Sequence, residues 1–348
     1  MPKQLPELLA PAGGIDQLKA AIKFGADAVY LATKDFGMRA AAANFSVEEL
    51  ACACKFAHEN SVKVYVTCNV VMNDSDIVKL PQYFEEVKQA GVDALIISDI
   101  GAMRLARKIV PEIDIHVSTQ LSVSNVQSAL AMYELGAKCI VLSRELSLQE
   151  IADMRAKLPQ DLKLECFVHG AMCMAVSGRC IISDVLTGRR ANKGECAQPC
   201  RWSYNIVEET RQNQFFPIEE DQRGTYILNS KDMNMIEHLR ELVDIGVTSL
   251  KIEGRNKKAF YVAVAVNAYL QVLDNLDSPN YERVLQHCKV ELDCISHRPY
   301  ATGFYFGKAS QEPLQDGYSQ EALHVADILG IKKSNKLLIR CRNKIEAG

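Results

Sequence analysis

The sequence predicts a parallel (β/α)8, TIM-like barrel, and three observations carry that reading. Short apolar runs alternate with amphipathic stretches along the first 256 residues. The runs number eight, as a closed α/β barrel requires, and no dinucleotide fingerprint of an open doubly wound sheet accompanies them. The phrases Phe24-Gly25-Ala26-Asp27-Ala28, Ala90-Gly91-Val92-Asp93-Ala94 and Leu135-Gly136-Ala137-Lys138-Cys139 each end a helix on glycine and turn into a buried run.

In order, the strand-like runs are residues 7–10, 28–31, 62–68, 94–98, 114–118, 138–143, 163–168 and 249–253. Amphipathic stretches at 14–24, 46–58, 79–90, 123–135 and 148–157 supply helices between them. Ile245-Gly246-Val247-Thr248-Ser249 repeats the glycine turn before the eighth run. Most units are roughly 20–35 residues long, normal for one β/α repeat, but the chain from Val168 to Ser249 is far longer. A cysteine-bearing insertion at about 170–248 therefore follows strand 7, on the face of a barrel where active sites lie. Beyond the barrel (1–256), residues 257–310 read as a helical and loop extension, with a helix over 259–273, a break at Ser278-Pro279-Asn280 and an aromatic, glycine-rich loop at 297–308. Residues 311–348 read as a short, truncated C-terminal β module with strands at 324–329 and 336–341.

The net charge of −3 on 348 residues excludes a uniformly basic coat but not a local basic face. No apolar run reaches the length of a membrane span and the first residues lack the apolar core of a signal peptide, so the chain reads as cytoplasmic, with no membrane partner. Twelve cysteines in that compartment are not expected to form disulfides. Cys68, Cys139 and Cys166 sit in apolar runs and read as core.

The other notable group is Cys173, Cys180, Cys196 and Cys200, interleaved with Gly, Ser, Arg and Pro. Cys173 and Cys180 would share a face if their segment is helical, and Pro199 bends the chain between Cys196 and Cys200. Four thiolates from one insertion can enclose a metal ion or a cluster. Their spacing is loose for zinc knuckles, yet by itself it leaves zinc, iron–sulfur and unliganded thiols all open.

Polar residues at the strand ends converge on the barrel mouth: Arg39 after strand 2, Asn69 after strand 3, Gln120 after strand 5, Arg144 after strand 6, Glu165 and His169 on strand 7, and Lys251, Glu253 and Arg255 on strand 8. Arginines grouped there, with Arg201 from the insertion, would make an anion site, because guanidinium forks match carboxylate or phosphate. His169 is the histidine placed to act as acid or base. Each of these residues also has a plain structural reading as an ion pair or a core polar group. The loop Ala10-Pro11-Ala12-Gly13-Gly14 reads either as an ordinary turn or as a loop that lets a ligand approach the backbone. No G-x-S-x-G or H-E-x-x-H motif is present, and thiols in a set of four suit ligation better than nucleophilic attack.

Glu165, His169-Gly170, Cys173 and Ser177-Gly178-Arg179-Cys180 resemble the signature of the collagenase-like peptidases, peptidase family U32. Leu8-Leu9-Ala10-Pro11-Ala12-Gly13, Cys196-Ala197-Gln198-Pro199-Cys200-Arg201-Trp202, Leu228-Asn229-Ser230-Lys231-Asp232, Lys251-Ile252-Glu253-Gly254-Arg255 and His297-Arg298-Pro299-Tyr300 extend the resemblance nearly end to end, toward the tRNA-hydroxylating branch. The resemblance implies a [4Fe–4S] cluster on Cys173, Cys180, Cys196 and Cys200. It implies formation of 5-hydroxyuridine at the tRNA wobble position, in the anticodon region, with the dicarboxylate prephenate as hydroxyl source. Catalytic roles then fall to His169, Glu165 and Glu253, and substrate binding to Arg39, Asn69, Gln120, Arg144, Lys251 and Arg255. Other branches imply hydroxylation of ribosomal RNA cytidine, and the family's older name implies a peptidase. Chains of this branch continue into a full small β-barrel, so tRNA binding here is expected either to be weakened or to draw on a partner, such as a homologous subunit, unless the sequence is a fragment.

Overall fold

A computed structural model describes residues 5–38, 42–173, 175–176, 179–180, 182–202, 220–221, 224–225, 231–307, 319–332 and 336–345. Its centre is a closed barrel of parallel strands: β1 (Glu7–Pro11), β2 (Ala28–Leu31), β3 (Lys63–Cys68), β4 (Ala94–Ile97), β5 (Asp114–Val117), β6 (Cys139–Val141), β7 (Lys163–Ala171) and β8 (Ser249–Ile252). Neighbours pair in chain order, and β8 pairs with both β7 and β1, which closes the ring. Each strand is buried on both faces, so the strands read as continuous apolar runs rather than alternating ones.

The outer ring consists of α1 (Ile15–Lys23), α2 (Val47–Glu59), α3 (Leu80–Gln89), α4 (Ile100–Ile109), α5 (Val126–Glu134), α6 (Leu148–Arg155), α7 (Leu239–Ile245) and α8 (Ala259–Asp274). Local sequence sets their starts. Ser46 with Glu49 and Ser147 with Glu150 form capping boxes at α2 and α6, and Asp99 accepts from the Ala102 amide to cap α4. The glycine turns foreseen in the sequence are present: Gly25, Gly91, Gly136 and Gly246 all have positive φ, a conformation that costs other residues strain. Helix α8 is buried along most of its length and packs on α1, β1 and α9 (Tyr281–Asp293), completing the helical ring with chain that lies beyond residue 256.

Strand β7 runs past the barrel rim, through His169-Gly170-Ala171. There it pairs antiparallel with Asp232–Asn234, which pairs in turn with Tyr300–Ala301. The β7–β8 register shifts between Lys251 and Ile252, at the height where β7 leaves the barrel. Ala326–Lys332 and Lys336–Cys341 form an antiparallel hairpin, matching the two C-terminal strands expected, with the first starting and ending later than the sequence suggested. No helix among the described residues is long and apolar enough to cross a membrane.

Candidate active site at the barrel mouth

Contacts between strands that are not sheet neighbours must cross the barrel interior, and several do. On the floor, Tyr65 on β3 donates to Glu7 on β1 and meets the His116 ring of β5 edge-on at 4.7 Å. Burial raises the Glu7 carboxyl, an effect opposed by that Tyr65 hydrogen bond. His116, Cys139 and Glu165 place one potential metal-ligand atom each within 4.8 Å of one another, the one such group among the described residues. His116 Nδ1 is buried without a hydrogen-bond partner. Burial, helped by the positive charges of Lys251, Lys163 and Lys63, pushes the His116 pKa down to about 3, so the ring is neutral. Burial raises the Cys139 thiol well above its ordinary range.

One layer higher, Lys251 Nζ donates to Glu165 at 2.7 Å, and Ser249 Oγ donates to the other carboxylate oxygen at 3.2 Å. The Lys251 ammonium also lies 4.4 Å from the Tyr30 ring centroid and 5.4 Å from that of Phe167. Glu165 is 0% exposed, so it supports Lys251 from below rather than facing the mouth.

The rim is cationic. The Arg144 guanidinium lies over the Phe167 ring at 4.0 Å and donates to the Ala171 carbonyl at 2.9 Å. It pairs with no carboxylate among the described residues. Arg255 donates to Thr67 Oγ1 at 3.0 Å, and its guanidinium carbon stands 6.0 Å from the Tyr30 ring. Tyr30 donates to Glu253, which is half-buried at the rim. Gln120 is buried in a turn after β5 with its Oε1 unpartnered. Asn69 is half-buried and accepts from the Met38 amide. Arg39 lies outside the described residues, as does the side chain of Arg201. In the Ala10–Gly14 loop, a Cβ on Gly13 would stand 1.8 Å from the Arg255 carbonyl oxygen. That glycine lets two backbone segments touch.

His169 stands apart from the open mouth. It is buried among Tyr261, Tyr269 and Tyr300, with ring centroids 5.4–5.8 Å away, and Nδ1 lies 3.4 Å from the Tyr269 hydroxyl. Burial pushes its pKa to about 3, against the opposing pull of Asp232. Beside it the buried Asp232 and Arg298 pair at 2.7 Å. Arg298 also reaches the Met172 carbonyl at 3.4 Å, and so ties the root of the cysteine insertion to the neighbouring strands.

Cys173, Cys180 and Cys196 lie in irregular chain, and Cys200 lies in the short turn Pro199–Arg201. Cys173 and Cys196 are exposed, Cys180 and Cys200 half-buried, and none is in a disulfide. Backbone amides point at two sulfurs: Ile182 N lies 3.5 Å from Cys180 Sγ and Gln198 N 3.4 Å from Cys196 Sγ. Amide donors aimed at sulfur are the outer contacts that metal- or cluster-ligating cysteines commonly carry. No three of these sulfurs come within 4.8 Å of one another, the closeness that ligands of a single ion need.

Residues 13–315 match the family model described as Peptidase family U32. The chain belongs to that family. It is 43% identical over 303 residues to an uncharacterized protease of Methanocaldococcus jannaschii, covering 86% of this chain and 73% of that protein. It is 37% identical over 308 residues to tRNA hydroxylation protein P1 of Bacillus subtilis, covering 88% and 72%. It is 32% identical to tRNA hydroxylation protein P of Escherichia coli, covering 99% of this chain and 84% of that one.

Sequence reading had missed Tyr30, Thr67, His116, Phe167, Tyr269 and the Asp232–Arg298 pair. Tyr30 and Phe167 looked like ordinary strand aromatics. Asp232 and Arg298 are joined by folding across 66 residues, and no local pattern marks such a pair.

Proposed function

We propose that this U32 chain is an RNA hydroxylase that forms 5-hydroxyuridine at the wobble position of tRNA, with prephenate as the hydroxyl donor. The observation that carries the reading is the stacked cationic mouth, Lys251 beneath Arg144 and Arg255, opening under a lobe with four thiols. Two guanidinium forks and an ammonium set in aromatic walls suit a small molecule with two carboxylates. The names of two relatives support RNA as the acceptor.

In this reading Arg144 and Arg255 grip the carboxylates of the donor, and Lys251, held upright by Glu165, presents positive charge to the same molecule. Glu253, steadied by Tyr30, is the rim carboxylate placed to take or return a proton. Gln120 offers a buried amide oxygen to a donor group of the ligand, Asn69 flanks the mouth, and Arg39 is assigned to substrate binding by its place in the sequence after β2. His169, neutral inside its tyrosine cage, positions the β7 extension from which the insertion departs. Cys173, Cys180, Cys196 and Cys200 hold a [4Fe–4S] cluster, which when bound supplies an electron-transfer or Lewis-acid centre beside the mouth.

Peptidase chemistry is less well served. Cys139 is near His116, but both are buried on the barrel floor, out of reach of a peptide.

The test is mass spectrometry of nucleosides from wild-type and deletion strains, grown without oxygen. Loss of 5-hydroxyuridine from tRNA, restored by the wild-type gene, supports the reading. Unchanged 5-hydroxyuridine with loss of 5-hydroxycytidine from ribosomal RNA would move the activity to that substrate.

A further inference from the structure

Between residues 172 and 202 lie five Lys or Arg against two Asp or Glu, on a chain whose net charge is −3. This segment therefore reverses the sign of the molecule locally. Its residues 182–202 fold into a small lobe. The helix Ile182–Thr187 packs on the turns Ala191–Lys193 and Pro199–Arg201 around the buried Ser183, whose hydroxyl accepts from the Ala197 amide at 3.0 Å. Asn192 ties the lobe down twice: its side chain accepts from the Cys180 amide at 3.4 Å, and its carbonyl accepts from the Val71 amide at 3.0 Å. Lys193 pairs with Asp76, so the lobe is fastened beside the end of β3 at the barrel mouth.

On this anchored base the charge is outward. Arg179, Arg189 and Arg190 are exposed, and no guanidinium of the three pairs with a carboxylate among the described residues. Apolar surface is outward too: Val185 is 73% exposed, Leu186 50% and Trp202 40%. Trp202 is the only tryptophan of the chain. Guanidinium groups beside a partly exposed indole are the combination that grips single-stranded nucleic acid: cations for phosphates, a flat ring for an unstacked base. A protein partner would better explain an apolar patch without surplus charge.

We propose that this lobe is the docking lip for a single-stranded RNA segment, with Arg179, Arg189 and Arg190 on its backbone and Trp202 stacking on a base. The proposal rests on the hydroxylase reading and adds where the RNA is held: on the same lobe as the cysteines, beside the pocket for the small donor.

The lone indole makes the proposal measurable. Anaerobically purified holoprotein is titrated with a uridine-rich RNA heptamer and, separately, with bulk tRNA, following tryptophan emission at several salt concentrations. Each RNA should quench Trp202, and log K should fall with log salt by about 0.7 per phosphate contact. In anisotropy titrations with labelled RNA, Arg189→Glu/Arg190→Glu should bind at least about tenfold more weakly, with a slope shallower by about 1.4. Trp202→Leu should lose at least about fivefold. Unchanged iron content and melting temperature of each variant guard against misfolding. If the double arginine variant binds tRNA like the wild type with the same salt slope, the lip is overturned while the hydroxylase reading stands. If that variant keeps its RNA affinity but self-associates less in sedimentation, the lobe is a protein contact and the proposal is again overturned. If wild-type holoprotein binds neither RNA, both the lip and the RNA reading fall.

Discussion

Breaking the Glu165–Lys251 pair should expose how the barrel holds a cation under its mouth. The two side chains are 0% and 5% exposed and meet at 2.7 Å. Lys251→Met would leave a fully buried carboxylate with Ser249 Oγ, at 3.2 Å, as its remaining side-chain donor. Glu7 lies close enough to add repulsion. Orphaning one member of a buried pair costs about 3–5 kcal/mol, and this site belongs at the upper end. Glu165→Gln should cost nearer 3 kcal/mol, because Gln still accepts from Ser249 and the ammonium keeps its two aromatic faces, worth up to about 2 kcal/mol when desolvated. The double variant Glu165→Gln/Lys251→Met buries no unpaired charge, so it should be more stable than the sum of the single losses by about 3 kcal/mol. Urea titrations of the four proteins at constant m-value measure this cycle. Single losses below about 1 kcal/mol, adding without coupling, would refute the claim that the pair is desolvated and mutually dependent.

Arg144→Ala should remove charged hydrogen bonds to the donor dicarboxylate. Such bonds contribute about 1.5–3 kcal/mol, which corresponds to a roughly 10- to 150-fold higher KM for prephenate; an unchanged KM would remove Arg144 from the site. His116 and His169 are both held near pKa 3 against an ordinary 6.5. Each is neutral when folded and takes up a proton more readily when unfolded, so stability is complete above pH 6.5 and erodes as pH falls toward 3. Between pH 6.5 and 5.5 each should cost about 1 kcal/mol. Urea midpoints across that window should show the decline, and His169→Gln should roughly halve it, leaving the His116 share; a wild-type curve with no slope would contradict the burial argument. Gly13→Ala must push the Arg255 backbone aside, since its Cβ would lie 1.8 Å from that carbonyl. A loss of about 1–3 kcal/mol in thermal stability, together with weaker prephenate binding, is expected; a neutral substitution would mean that the two segments do not touch.

Much of this protein could be read along the chain because the relevant physics is local. Buried parallel strands announce themselves as apolar runs, and Ser46, Asp99 and Ser147 cap helices through residues only three positions away. The glycine turns at 25, 91, 136 and 246 need only a left-handed backbone angle. Four grouped thiols and a long gap after strand 7 likewise marked the insertion without any knowledge of the fold. The polar residues of the mouth were recognisable by type and by position at strand ends.

Their partners and directions were not. A residue one step along a strand faces the opposite way, and the register shift between Lys251 and Ile252 re-aims the end of β7 with no sequence mark. That is why His169, read as an acid or base of the mouth, lies in a cage of three tyrosines, while Phe167 became the platform under Arg144. Pairing of β8 with β7 across the long insertion, by contrast, unites residues more than 80 positions apart, such as Glu165 with Lys251. The sequence by itself thus determined the barrel, its insertion and the kinds of groups at its rim, since these follow from periodicity and residue type. Only the tertiary structure decided which of those groups face one another and which are sealed from solvent, because burial and charge pairing are properties of space and not of chain order.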